Sequence, residues 1–191
     1  MNAIHRHLTV CAAESVRVAR GVTDDRLAEG SHCTDWTVRE LVNHLVRYGA
    51  HGLEHRALRL ELPEELVRRD FAAEGDWAER YAEQLDRALA AWEKPEAWEG
   101  DVDMGGSPVP AAEIAAMLLL ELALHGWDLA RSTGQEYALP EETGAYVLEV
   151  VERYAGMYRE YEGFDAPVAT EPADAGEPSF ARAVALSGRS A

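Results

Sequence analysis

Between Glu113 and Asp128 the chain holds one acid, Glu121, and one histidine, His125, and the residues from Ile114 to Leu124 are otherwise apolar. Four residues apart on a helix, both side chains leave on one face. Ile114, Met117 and Leu118 share that face and predict that it looks into the core. An unpaired carboxylate there costs roughly several kcal/mol, so it needs a partner, and a metal ion is one such partner. His44 offers a third ligand. It lies on a helix face marked by Leu41, Leu45 and Tyr48, and ligands from facing helices of a bundle can meet on one interior metal. Two imidazoles and one carboxylate leave coordination positions open, the pattern of a catalytic rather than a closed structural site. The set suits zinc as the divalent metal, and nickel, iron or manganese are also compatible.

The same residues have plainer readings, which spacing leaves open. His44 alone suits a hydrogen-bonded core histidine, and Glu121 with His125 suits a buried carboxylate–imidazole pair. Asp128, three residues after His125, can accept the imidazole N–H and orient the ring, or pair with Arg131. His51 and His55 are also four apart. They stand among Glu54, Arg56 and Arg59, which marks a solvated face, with His51 a pocket-lining candidate for proton transfer. His5, His7 and His32 show no partner pattern. Cys33, near a helix start, reads as a structural thiol before a reactive one. Trp36, Tyr48 and Trp127 read as core packing. Gly105-Gly106 lacks the Lys-Ser/Thr and the βα frame of a phosphate loop, and no nucleophile elbow occurs.

The elements that must position these residues are helices. Ile4, Leu8, Cys11, Ser15 and Val18 recur at helical spacing and predict a helix over 3–20, ended by Gly21. A loop covers 21–36. Thr37 with Glu40 three residues on forms a capping-box pattern, with Trp36 placed to staple onto Leu41. That second helix runs to about residue 60, before Pro63. Residues 61–75 are acidic and aperiodic and read as a loop. Asp76 caps a third helix through Trp77, Tyr81, Leu85, Leu89 and Trp92, stopped by Pro95. Trp98, Val102 and Met104 alternate with polar residues before Gly105-Gly106-Ser107-Pro108, which suggests a short hairpin. A fourth helix starts near Pro110 and runs to about residue 132, with Gly134 as its C-cap. A fifth spans 141–161. The tail carries Pro167, Pro172 and Pro178 without periodicity. The expectation is an all-α four-helix bundle with an extra C-terminal helix and a short β-hairpin. The metal-binding bundle takes 1–162, and a tail, 163–191, packs on it.

With 191 residues, 47% hydrophobic and 28% charged, the chain can build one substantial core. Its 18 basic and 35 acidic residues give a net charge of −17. Such a surface repels nucleic-acid backbones and anionic membranes, so neither is an expected partner. Two cysteines, Cys11 and Cys33, read as free thiols in a reducing compartment. No leader pattern precedes the first polar stretch and the longest apolar run is too short to span a bilayer, so the expected location is the cytoplasm. A homodimer is compatible with the sequence, which does not fix the oligomeric state.

Two segments carry a resemblance. Cys33-Thr-Asp-Trp-Thr-Val-Arg-Glu-Leu-Val-Asn-His44-Leu and Glu121-Leu-Ala-Leu-His125-Gly-Trp-Asp-Leu-Ala-Arg-Ser-Thr-Gly134 resemble the DinB/YfiT-like superfamily. More narrowly, they resemble the N-terminal domain of mycothiol-dependent maleylpyruvate isomerase and its actinobacterial relatives. Arg182-Ala-Val-Ala-Leu-Ser-Gly188-Arg189 is similar to the tail of stand-alone members. The resemblance implies a DinB-like bundle with a metal, commonly zinc, on His44, Glu121 and His125. It also implies a low-molecular-weight thiol such as mycothiol, activated at the metal, that adds to a small electrophilic substrate in an isomerisation or transfer. The isomerase has a further C-terminal domain that the sequence is not expected to contain, which leads away from maleylpyruvate itself as substrate. Two rivals stand beside this reading: a metal-dependent hydrolase whose open position holds water, and a non-catalytic, stress-associated protein that binds a small ligand in the same pocket.

Overall fold

Four long helical runs follow one another through the first 132 residues, as the apolar periodicities require. The structure is a computed structural model that describes residues 2–33, 35–103, 105–168 and 178–190. The chain forms two compact units, Met1–Tyr137 and Ala138–Ala191.

In the first unit, α1 (Ala3–Arg20) buries Leu8, Cys11, Ser15 and Val18 on one stripe, and Gly21 is its C-cap. Thr37 caps α2 (Val38–His44) with both halves of the capping box formed. The chain then continues as a π-helical stretch, π1 (Leu45–Gly52), and returns to α-helix in α3 (Leu53–Ala57). The predicted second helix is therefore a composite, bent in register just after His44. Residues 61–75, expected to be a loop, hold a short helix, α4 (Glu64–Arg68), and a single 3-10 turn, Phe71–Ala73. Glu64 and Glu65 favour the N-terminal end of α4, and burial of Phe71 and Ala72 anchors the turn. Helix α5 (Trp77–Trp92) follows. Asp76 precedes it without capping it through its side chain and instead pairs with Arg80 at 2.9 Å.

The expected hairpin is present as β1 (Asp101–Asp103) and β2 (Pro108–Pro110), antiparallel, with Val102 opposite Val109. Met104 lies outside the described residues. Gly105 and Gly106 turn the chain at φ 68° and 91°, a region that favours glycine. Helix α6 (Ala111–Ser132) starts directly after β2, with Pro110 in the N-cap position one residue earlier than a first-turn proline. It packs against α1 and against the α2–π1–α3 run, and α1 and α3 also meet α5. These four runs make the bundle. Among the described residues, no helix is long and apolar enough to cross a membrane.

The second unit holds α7 (Glu141–Glu160) and α8 (Ser179–Leu186). The sequence shows no periodicity for α8 because it is only two turns long. Phe180, Ala183 and Val184 are its buried side. The Glu141 carboxylate accepts from Ser179 Oγ at 2.6 Å and from the Ser179 amide, which supplies the cap that Pro178 cannot. Phe164 stacks on Tyr158, and the Val168 amide donates to Ala185 O at 3.0 Å, so the near part of the tail folds back within its own unit. Pro172 lies outside the described residues.

Helices α1 and α6 approach each other closely at Gly126. A Cβ there would stand 2.6 Å from Ser15 Oγ and 2.7 Å from the Tyr137 ring. Ser15 Oγ and the Tyr137 hydroxyl both donate to Leu122 O, at 2.9 and 3.1 Å. Gly126→Ala should therefore overpack this contact and lower stability by about 1–3 kcal/mol. Urea unfolding checks it; an unchanged midpoint would mean that Ser15 and Tyr137 can withdraw freely.

Candidate metal centre

Helix α6 is buried on nearly every side. From Ile114 to Ala130 only Met117, Leu118, Glu121 and His125 are partly exposed. The i, i+4, i+8 stripe of Met117, Glu121 and His125 is thus the open edge of the helix. This corrects the expectation that the face points into the core: the acid and the histidine line an opening. Their side chains are 26% and 17% exposed, and that of His44 is 21% exposed. A charged group at such an edge keeps some hydration and is less costly than one in the core.

His44, the last residue of α2, reaches across to this stripe. Its Nε2 lies 2.7 Å from Glu121 Oε2, and His125 Nε2 lies 3.8 Å from the same oxygen. The two imidazole rings are 4.7 Å apart. One donor atom from each of His44, Glu121 and His125 falls within 4.8 Å of the others, so the three can serve one ion. Both imidazoles present the same nitrogen, Nε2, to the acid.

The other nitrogen of His125 is also engaged. Nδ1 donates to Asp128 Oδ2 at 3.0 Å. Asp128 is 1% exposed. Its carboxylate faces His125, while the Arg131 guanidinium lies over the Trp127 ring. Cys33 Sγ stands 3.1 Å from Asp128 Oδ2 and 3.5 Å from His125 Nδ1. Cys33, His125 and Asp128 form a second grouping with metal-ligand chemistry. Both cysteines are free thiols; burial pushes the Cys11 thiol far up, whereas Cys33 is half-buried.

Two aromatics expected in the core belong to the opening. Trp36 stacks on His125 at 5.9 Å and tilts against His44 at 4.8 Å. Tyr48 lies 5.0 Å from His44 and is exposed. Sequence reasoning missed their place. Tyr48 follows His44 by one helical turn, a spacing that could have flagged it. Trp36 is carried by a loop, where no periodicity applies.

His51 is placed elsewhere. It lines a cavity of about 420 Å³ with Val46, Phe71, Trp77 and Arg87, and none of His44, Glu121 or His125 lines it. Its ring stacks on Phe71 at 5.3 Å. His55 Nδ1 donates to His51 O at 2.8 Å.

The family model for the mycothiol maleylpyruvate isomerase N-terminal domain matches residues 8–130, a span that holds His44, Glu121, His125, Asp128 and Cys33. The chain belongs to this family. The crystal structure of a mycothiol-dependent maleylpyruvate isomerase superposes with a TM-score of 0.58 at 19% identity, over 82% of this chain and 72% of that one. A histidine-to-alanine mutant of that enzyme gives 0.59 at 20% identity with the same coverage. The likeness establishes a shared fold, the DinB-like helical bundle expected from the sequence. No curated protein matches the chain.

Burial, then the neighbouring His55, lowers the His51 pKa to about 4; Glu54 opposes the shift, and Arg87 and Arg69 add to it. An unfolded histidine titrates near 6.5. Between these values the unfolded chain binds the extra proton, so the stability contributed by neutral His51 is complete above 6.5 and is lost as pH falls toward 4. The drop in melting temperature between about pH 7 and about pH 4.5 should be smaller in His51→Gln than in the parent. Equal drops in thermal melts would assign the acid sensitivity to other groups.

Proposed function

We propose that the protein is a metal-dependent enzyme that uses a low-molecular-weight thiol, of the mycothiol type, to isomerise or transfer a group on a small electrophile. The observation that carries this reading is the convergence of His44 Nε2, Glu121 Oε2 and His125 Nε2 at one opening in a chain of this family. The donor set fits a divalent ion of borderline softness: two neutral nitrogens and one carboxylate, with room left for an exogenous ligand. When bound, such an ion supplies positive charge that lowers the pKa of a thiol presented to it.

The chain's own residues do the rest. Glu121 brings the one formal negative charge and is held between two imidazoles. Asp128 accepts a hydrogen bond from the Nδ1–H of His125, which keeps the proton on Nδ1 and leaves the Nε2 lone pair facing Glu121. Trp36 and Tyr48 flank His44 and restrict the approach of water on that side. The isomerase whose structure resembles this one depends on mycothiol, which supports the thiol as co-reactant here. His51 is not assigned to this site, because it lines a different cavity.

Protein purified without chelators should carry about one divalent ion per chain by elemental analysis, and His125→Ala should abolish loading. Wild-type loading in that variant would mean that the ligand set is wrong.

With cobalt bound, mycothiol should produce a sulfur-to-cobalt charge-transfer band, and conversion of an electrophile should require both metal and thiol. Turnover that needs no thiol, with a cobalt spectrum indifferent to mycothiol, would leave the hydrolase reading in front. Full loading without turnover would leave the binding protein.

A further inference from the structure

We infer that Cys33 is a positioning residue for the metal centre, acting on His125 through Asp128. The inference rests on the ligand set proposed above and adds to it a residue that belongs to neither ligand helix.

The geometry is specific. Cys33 Sγ donates to Asp128 Oδ2 at 3.1 Å, and His125 Nδ1 donates to the same oxygen at 3.0 Å. A carboxylate oxygen has two acceptor sites. Two donors on one oxygen fix the plane and rotamer of the carboxylate, and the carboxylate fixes the imidazole. Asp128 is almost fully buried, so bulk water does not readily replace a lost donor there.

The loop that carries Cys33 is tied down independently. Cys33 N donates to Ser31 Oγ at 3.1 Å, and Ser31 Oγ donates back to Cys33 O at 3.0 Å. A bridge pairs Gly30 with Thr37, and Ser31 N donates to Trp36 O at 2.7 Å. The loop is then pinned to α6 itself. His32 N donates to Ser132 Oγ, whose hydroxyl donates to Asp128 O. One loop thus grips the residue that orients His125 by its backbone and by its side chain, and lays Trp36 on the His125 ring. Alanine removes the thiol donor, whereas serine keeps a donor of nearly the same reach.

Two measurements on the full chain test this. In the chelator-stripped protein, the Nδ1–H signal of His125 in ¹⁵N-edited spectra should shift in Cys33→Ala and return toward the parent value in Cys33→Ser. The signals of His51 and His55 should stay in place. In zinc titrations against a competing chelator, Cys33→Ala should weaken binding by about tenfold, the low end for partners that hold a metal-binding histidine. Cys33→Ser should restore most of it. The loss should vanish when Cys33→Ala is made in an Asp128→Asn background, because the path through Asp128 is already broken. Unchanged His125 signals together with unchanged affinity would overturn the inference. So would an undiminished loss in the Asp128→Asn background, or a cobalt–sulfur band present without added thiol and absent in Cys33→Ser, which would make Cys33 a ligand. If the parent binds no metal, the proposed ligand set fails, and the His125 signal alone still decides the role of Cys33.

Discussion

The 2.7 Å contact between His44 Nε2 and Glu121 Oε2 joins two helices through polar atoms at the partly exposed edge of the middle of α6. A carboxylate on so apolar a helix must be hydrated, hydrogen-bonded or bound to a cation. The open stripe gives partial hydration, and the two imidazoles give partners. Both solutions need α2 and α6 held side by side with His44 at the level of Glu121. The surrounding architecture serves that requirement. The capping box at Thr37 fixes where α2 begins, which sets the direction in which His44 leaves it. The hairpin and Pro110 fix where α6 begins, which sets the level of Glu121.

On its opposite side α6 is pressed against α1 with no Cβ between them at Gly126. The same carbonyl, Leu122 O, receives hydroxyl donors from Ser15 and Tyr137. A helix seated this closely cannot slide or rotate without breaking buried hydrogen bonds. The stripe of Glu121 and His125 is therefore held from behind, while Asp128 and Trp36 contact the His125 ring. Ligands set on rigid elements and oriented by neighbours lose less entropy on binding an ion than ligands on a mobile loop.

The π-helical stretch explains how His44 and His51 come to serve different places. Seven residues are close to two full turns of an α-helix, so both would share a face. The wider i→i+5 turns of π1 advance each residue through a smaller angle, and His51 leaves the face of His44. It meets Phe71 instead and lines the second cavity.

Much was legible in the sequence because it is local. Helical periodicity gave α1, α5, α6 and α7, and the Thr37–Glu40 box and Gly134 marked ends to within a residue. The i, i+4 spacing puts Glu121 and His125 on one face, and with His44 the three candidate ligands are legible from residue type and spacing. What depends on packing was not legible. Whether the stripe of α6 faces core or solvent is decided by which neighbours cover the helix, and its own residues are apolar enough for either. The π register after His44 has no periodic signature in eight residues. Short helices such as α4 and α8 fall below the length at which a pattern can be read. Cys33 and Trp36 sit in a loop whose sequence says nothing of where it lands. Only the tertiary structure lays them against Asp128 and His125, because hydrogen bonds and ring contacts between residues some ninety positions apart exist only once the chain has folded.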